Sequence, residues 1–294
     1  MHKLLISLLM ATLWSSNVYA DGFSASVGTD YSTGKYGGSR STDVYYVPFV
    51  GSYETGAFTF RATIPWIRVT GPGNIVPGGL GGSGSGIGSA GSGSGIGQFG
   101  CAVDSRKGAS KPEDDGPCAG VASSSTTTTT SSSRRTTESG LGDIVLGASY
   151  NVLDNNDWIV DVGARVKLPT ASESKRLGSG KTDYAVQANV DKYFGAAFAN
   201  FGLGYKWLGE PSGVDYDNVA YGSLGGGYKF SQTTIGVSYD WATAAVDGAS
   251  KPQEVSFYAS HKINDHYKLS GVVYSGLSNA SSDVGGGITL EYYF

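Results

Sequence analysis

Apolar and polar residues alternate one by one through segments about ten residues long, and the pattern recurs from residue 22 to the end of the chain. Side chains of an extended strand point alternately to its two faces, so residues i, i+2 and i+4 share one side. Trp158, Val160, Val162, Ala164, Val166 and Leu168 fall on one face, with Asp161, Arg165 and Lys167 on the other. Ile235, Val237, Tyr239 and Trp241 oppose Thr234, Ser238 and Asp240; Phe58, Phe60, Ala62, Ile64 and Trp66 oppose Thr59, Arg61 and Thr63. At the end of the chain Val284, Ile288, Leu290, Tyr292 and Phe294 oppose Thr289 and Glu291. Such a chain can fold only into strands with one apolar and one polar face.

Twelve strands are predicted, over 22–31, 42–54, 57–70, 141–152, 157–169, 182–194, 197–208, 217–230, 233–243, 252–263, 266–276 and 282–294. Lengths near ten suit tilted strands that cross a membrane, and an even count suits a closed bacterial barrel. Connection lengths separate this reading from a soluble sandwich. Five connections are short: Glu54-Thr55-Gly56, 153–156, Gly195-Ala196, Ser231-Gln232 and Asn264-Asp265. Each joins an even strand to the next odd one, whereas the longer connections all join odd to even. Outer-membrane barrels have short periplasmic turns and long extracellular loops, and a sandwich has no reason to obey that parity. The expected fold is all-β, a closed antiparallel 12-stranded transmembrane β-barrel with one long extracellular loop.

The first 20 residues are read separately. His2 and Lys3 precede a compact apolar run over 4–14, and Val18 and Ala20 fit the small-residue cleavage pattern of a secretory signal peptide. The run is too short for a spanning helix, which needs about 20 apolar residues. The mature chain is thus expected to be 21–294. Without Lys3 it carries 20 basic and 25 acidic residues, a balance with no basic patch and no case for nucleic acid. Glycine, at 46 of 294 residues, is about twice as common as usual. Segment 71–139 is more than half Gly, Ser and Thr, a composition that cannot bury a core. It is read as the long extracellular loop and not as a second domain. It contains Cys101 and Cys118, which in an exported protein are candidates for a disulfide, with two free thiols the alternative.

Aromatic residues give an independent reading. Trp66, Trp207 and Trp241 lie near the ends of odd strands on the apolar face, and Trp158 begins a strand at the opposite end, where Tyr150, Phe194, Phe230, Tyr292 and Phe294 also fall. Girdles of aromatic residues at both membrane interfaces are expected of such barrels. If the apolar faces meet lipid, the opposite faces line the interior. The lining candidates are Arg61, Asp143, Asp161, Arg165, Lys167, Gln187, Asn189, Asp191, Lys206, Asp240, Glu254 and Glu291. Charges of both signs inside either form a polar conduit or pair to fill a closed interior.

Enzymatic readings are weaker. Gly178-Ser179-Gly180-Lys181-Thr182 resembles a phosphate loop, but Lys175 stands where its first glycine belongs and a strand follows instead of a helix. Ser260, His261 and Asn264 match a membrane-embedded lipid hydrolase in composition alone, because adjacent strand residues face opposite sides. No Cys/His or His/carboxylate cluster has zinc spacing. The acidic residues in 113–115 and 214–218 read as solvated loop charges before they read as calcium ligands. No metal, cofactor or catalytic residue is expected.

Several motifs resemble one family. They are Asp30-Tyr31-Ser32-Thr33-Gly34, Tyr46-Val47-Pro48, Tyr53-Glu54-Thr55-Gly56, Ile64-Pro65-Trp66-Ile67-Arg68-Val69-Thr70-Gly71-Pro72-Gly73-Asn74, Gly140-Leu141-Gly142-Asp143, Val166-Lys167-Leu168-Pro169-Thr170 and residues 178–184. Together they are similar to the outer-membrane transporters named for the meta-pathway of phenol degradation, over most of the mature chain except about 80–139. The resemblance implies an outer-membrane barrel that passes small molecules, aromatic ones among them, and it carries no binding residues. Tyr292-Tyr293-Phe294 is also similar to the terminal signal read by the barrel-assembly machinery. The partners expected are therefore outer-membrane lipid, that machinery and a small-molecule solute. The alternatives are a surface or structural barrel that displays 71–139 without transport and, more distantly, the lipid hydrolase.

Overall fold

The computed structural model of the protein describes residues 22–36, 40–71, 75–77, 99–101, 135–155, 157–211 and 216–294. The expected leader, residue Cys118 and most of the long loop lie outside them.

Among the described residues fifteen strands run in chain order: β1 (Gly22–Gly34), β2 (Thr42–Thr55), β3 (Phe58–Gly71), β4 (Ile75–Pro77), β5 (Phe99–Cys101), β6 (Thr136–Leu141), β7 (Ile144–Asp154), β8 (Trp158–Leu168), β9 (Asp183–Phe194), β10 (Ala197–Trp207), β11 (Val219–Phe230), β12 (Thr233–Ala242), β13 (Gln253–Lys262), β14 (Tyr267–Gly276) and β15 (Val284–Tyr293). Apart from β4 and β5, which pair with each other, they form one antiparallel sheet in sequential order. It closes where β1 pairs with both β2 and β15, the latter in unbroken register from Ser24↔Tyr293 to Thr33↔Val284. The barrel has twelve staves, the fourth made of β6 and β7 together. Closure gives every stave two hydrogen-bonded neighbours, although β6 itself pairs only with β3.

That fourth stave departs from expectation. It starts at Thr136 and is interrupted at Gly142 and Asp143. β3 pairs with β7 over Phe58–Thr63 and with β6 over Trp66–Gly71. The interruption sits beside Pro65, whose own cross-strand partner on β2 is Pro48. Two prolines in one row remove two ladder donors. Only the Gly142 N–H, donating to the Pro65 carbonyl at 2.8 Å, spans the gap. A side chain at 142 would strike Ile67 and Pro65, its Cβ lying 2.5 Å from Ile67 Cδ1. Asp143, beside the break, is buried.

The short connections gather at one end of the barrel, with Phe294 donating its N–H to the Phe23 carbonyl at 3.0 Å. Two-residue hairpin turns need a left-handed residue. Gly56 (φ 55°) and Gly195 (φ 68°) supply it without strain, but Ser231 adopts φ 50° at the same place in the β11–β12 turn. Ser231→Gly is expected to raise stability by somewhat under about 1 kcal/mol, since the relief of the left-handed penalty exceeds the added chain entropy. Urea unfolding in detergent micelles checks it; an unchanged midpoint would show that the turn bears no strain.

The solvation pattern is inverted relative to a water-soluble protein. Phe49, Phe58, Phe60, Val162, Phe201 and Ile288 are among many large apolar side chains on the outside. The largest fully buried side chains, by contrast, include Lys167 and Lys206. An apolar surface of that extent is stable only against lipid.

Candidate functional site

The fold makes the barrel interior the one place where polar side chains from every stave converge. None of the twelve predicted lining residues is exposed, and Asp191, Lys206, Lys167 and Asp240 are 0 %, 1 %, 2 % and 2 % accessible. Arg61, Asp161, Arg165, Gln187, Glu254 and Glu291 are half-buried. Cross-strand register then decides which of them meet.

The tightest group lies at the loop end. Lys167 on β8 is opposite Asp183 on β9, and its ammonium sits 2.7 Å from Asp183 and 3.3 Å from Asp143. All three side chains are almost fully buried. Lys167 also donates to Ser179 Oγ at 3.0 Å, and Asp143 Oδ1 accepts the Ala171 N–H at 2.9 Å. Ser179 and Ala171 belong to the 169–182 connection, which contains a single 3-10 turn at Glu173–Lys175. The ion-paired trio thus fastens this connection against the barrel. Leu177, 1 % accessible, packs with Ala171 against Val44, Ile67 and Val69 on β2 and β3. Residues 169–182 are thus a strap drawn inward by one leucine and one lysine.

Elsewhere on the inner wall, hydroxyl and carboxylate groups form local networks. Ser238 donates to Asp240 at 2.9 Å and shares a 2.8 Å bond with Ser256. Ser282 donates to Glu254 at 2.6 Å, and Asn151 to Asp161 at 2.9 Å. At the turn end Lys268 and Glu291 pair at 2.8 Å, joined by Tyr293 and Ser24. Sequence reasoning passed over Asp183, Lys268 and Asp30. The phase of alternation exposes the latter two, because Leu269 and Tyr31 point outward beside them.

Three inward tyrosines lie flat over glycines of the neighbouring strand: Tyr221 over Gly204, Tyr258 over Gly236 and Tyr274 over Gly285, each pair in direct register. A Cβ at any of these glycines would come within 2.2 to 2.3 Å of the ring. The missing side chains let bulky rings occupy a curved inner wall. The Tyr274 ring crosses β15 in this way, and its hydroxyl donates to Asp30 Oδ1 on β1 at 2.7 Å. It joins β14 to β1 across the closing strand.

The candidate girdle residues sit on the outer face. Trp158 and Trp207 are exposed, Phe294 is the most exposed of the set, and Trp66, Trp241 and Tyr292 are half-exposed. The Lys192 ammonium stands 4.7 Å above the Trp158 ring and pairs with Asp157 at 3.1 Å. At the turn end Tyr292 packs on Tyr267 and Phe294, and Phe294 on Phe23. Cys101 is in β5, and its candidate partner lies outside the described residues. The lipase-like trio is dispersed: His261 Nδ1 shares a hydrogen bond with Thr233, and Asn264 Oδ1 accepts the N–H groups of His266 and Tyr267. Among the described residues no three His, Cys, Asp or Glu side chains gather as a metal site would require.

A closed antiparallel barrel of twelve staves, apolar outside and charged inside, defines an outer-membrane-type β-barrel. Among solved structures it is similar to an outer-membrane channel from Pseudomonas putida F1, with 13 % identity and a TM-score of 0.55 over 95 % of this chain and 99 % of that one. It is also similar to the transport unit of the autotransporter AIDA-I from Escherichia coli, with 10 % identity and a TM-score of 0.51 over 99 % of this chain and 97 % of that one. At these identities the likeness is one of fold. No family model matches the chain, and no curated protein sequence does.

Proposed function

We propose that the protein is a passive outer-membrane channel that admits small molecules, aromatic ones among them, through its polar interior. The observation that carries this reading is the set of half-buried charged and amide side chains inside a closed wall: Arg61, Asp161, Arg165, Gln187 and Glu254 retain accessible surface where a filled core would leave none. The resemblance to transporters named for phenol degradation and the fold of the P. putida channel point the same way. In this reading residues 1–20 are an export signal, and Tyr292-Tyr293-Phe294 hands the chain to the assembly machinery. The loop end faces outward, and the half-buried lining residues Arg61, Asp161, Arg165, Gln187, Glu254 and Glu291 meet solute.

Purified protein in planar bilayers is expected to give discrete conductance steps, and a deletion strain is expected to take up monoaromatic compounds more slowly. Absence of both results would overturn the channel. A second reading, a barrel without transport, is favoured by the strap at the loop end, since Leu177 and the Lys167 trio occupy part of that opening. Excision of 171–180 separates the two: a channel gated by the strap gains conductance, whereas a filled barrel stays silent.

The tryptophans test the membrane placement. Lipids brominated near the headgroup are expected to quench Trp66, Trp158, Trp207 and Trp241 more strongly than lipids brominated deep in the chain. Stronger quenching by the deep label would remove the girdle assignment.

A further inference from the structure

We propose that Arg61, Arg165 and Lys206 form a binding site for small carboxylate anions on the inner wall of the barrel. The proposal rests on the channel reading for its biological use, but binding itself can be measured without transport.

The three cations lie in a single cross-strand row. Arg61 on β3 is the partner of Gly147 on β7, and Gly147 of Arg165 on β8. Arg165 is the partner of Ala185 on β9, and Ala185 of Lys206 on β10. Cross-strand partners share a face, so all five residues point inward with Lys206 and Ala185, which are buried. Adjacent strands are about 4.8 Å apart, which places successive cations roughly 10 Å from each other along the wall. The positions between them hold only a glycine and an alanine. Arg165 leans into the gap, since a Cβ on Gly147 would lie 3.5 Å from its Cγ. The row is therefore a basic strip that is accessible at Arg61, Gly147 and Arg165 and closed over Ala185 and Lys206.

Among the described residues none of the three has an ion-pair partner. Arg61 donates from Nε to Ser52 Oγ at 3.3 Å, and the Lys206 ammonium stands 4.8 Å from the centre of the Tyr221 ring. Nearby carboxylates are already engaged: Asp183 by Lys167 and by the Gly209 N–H, and Asp161 by Asn151. Asp191, whose carboxylate oxygens have no hydrogen-bond partner, is six residues along β9 from Ala185, about 20 Å away. A buried cation without a partner is costly, so an anion entering beside the accessible Arg61 and Arg165 would relieve the row. Guanidinium groups match the planar, two-oxygen geometry of a carboxylate. The adjacent Tyr221 ring offers an apolar flank to the rest of such a molecule.

The test uses detergent-solubilised full-length protein and 19F NMR of 4-fluorobenzoate, with 4-fluorobenzamide as the uncharged control. Saturable binding of the benzoate alone is expected, weakened about tenfold or more in Arg165→Gln and in Lys206→Gln and unchanged in Lys229→Gln, an exposed lysine on β11. Heat-modified gel mobility confirms which variants remain folded, and Arg61→Gln substitutes if one does not. Equal binding of benzoate and benzamide, no binding to the unsubstituted protein, or binding indifferent to these substitutions would overturn the site. Reversal potentials in a salt gradient separate this from the channel reading. Binding without conductance removes the channel and keeps the site, whereas conductance with neither anion preference nor binding removes the site and keeps the channel.

Discussion

Lys167→Met is expected to destabilise the barrel by about 3–5 kcal/mol, the loss typical when one member of a buried ion pair is deleted. The substitution preserves most of the side-chain volume and removes only the charge. It leaves Asp143 and Asp183, both almost inaccessible, facing each other without a cation, and it cuts the Lys167–Ser179 bond that holds the strap. Two consequences distinguish this from general damage. The triple variant Lys167→Met/Asp143→Asn/Asp183→Asn is expected to recover much of the lost stability, since it no longer buries uncompensated carboxylates. Trypsin is expected to cleave the single variant faster after Lys175 or Arg176, within the released strap. Urea unfolding in micelles and timed proteolysis read the two effects. A single variant as stable as the parent would show that the trio is solvated and fastens nothing.

Gly285→Val is expected to cost about 3 kcal/mol or more. The new Cβ would fall 2.3 Å from Tyr274 Cζ, so the ring must leave the inner wall. Overpacking typically costs about 1–3 kcal/mol, and the Tyr274–Asp30 bond, a hydrogen bond to a carboxylate worth about 1.5–3 kcal/mol, is lost with it. Tyr274→Phe isolates the second contribution, because it keeps the ring over the glycine and deletes only the hydroxyl. The valine variant should therefore be clearly less stable than the phenylalanine variant. Equal midpoints would show that the glycine is not needed to seat the ring.

Much of this architecture could be read from the residues because two independent periodicities agree. Alternation assigns each strand its faces, and the parity of turn lengths assigns each strand its direction. Twelve staves follow, and the same alternation sets Asp161, Lys206 and Asp240 opposite the apolar faces. The upper part of the fourth stave was not legible. Thr136, Thr137, Glu138, Ser139 and Gly140 carry no apolar face to mark them as a strand, and they pair only because β3 continues beside them. The strap was missed for a different reason. Its composition is that of a polar turn, and the single apolar residue that draws it inward, Leu177, has meaning only once Val44, Ile67 and Val69 are known to face it. Alternation likewise places Lys167 and Arg165 on one face without saying that one finds two carboxylates and the other none. That difference depends on register, which composition does not encode.

The pairing of β3 with β6 has a consequence for how this surface can change over time. Gly71 and Thr136 are cross-strand partners, so the two ends of the longest insert are already held side by side by the ladder beneath them. The entropy of closing such an insert grows only logarithmically, by about 0.6 kcal/mol for each doubling of its length. Sequence between those ends can be lengthened, shortened or exchanged at little cost to the wall. In the proposed orientation, with the loop end outward, this position is the natural point at which to graft an epitope or an affinity handle, and the one where selection by phage or antibodies would act on the exterior while leaving the interior intact.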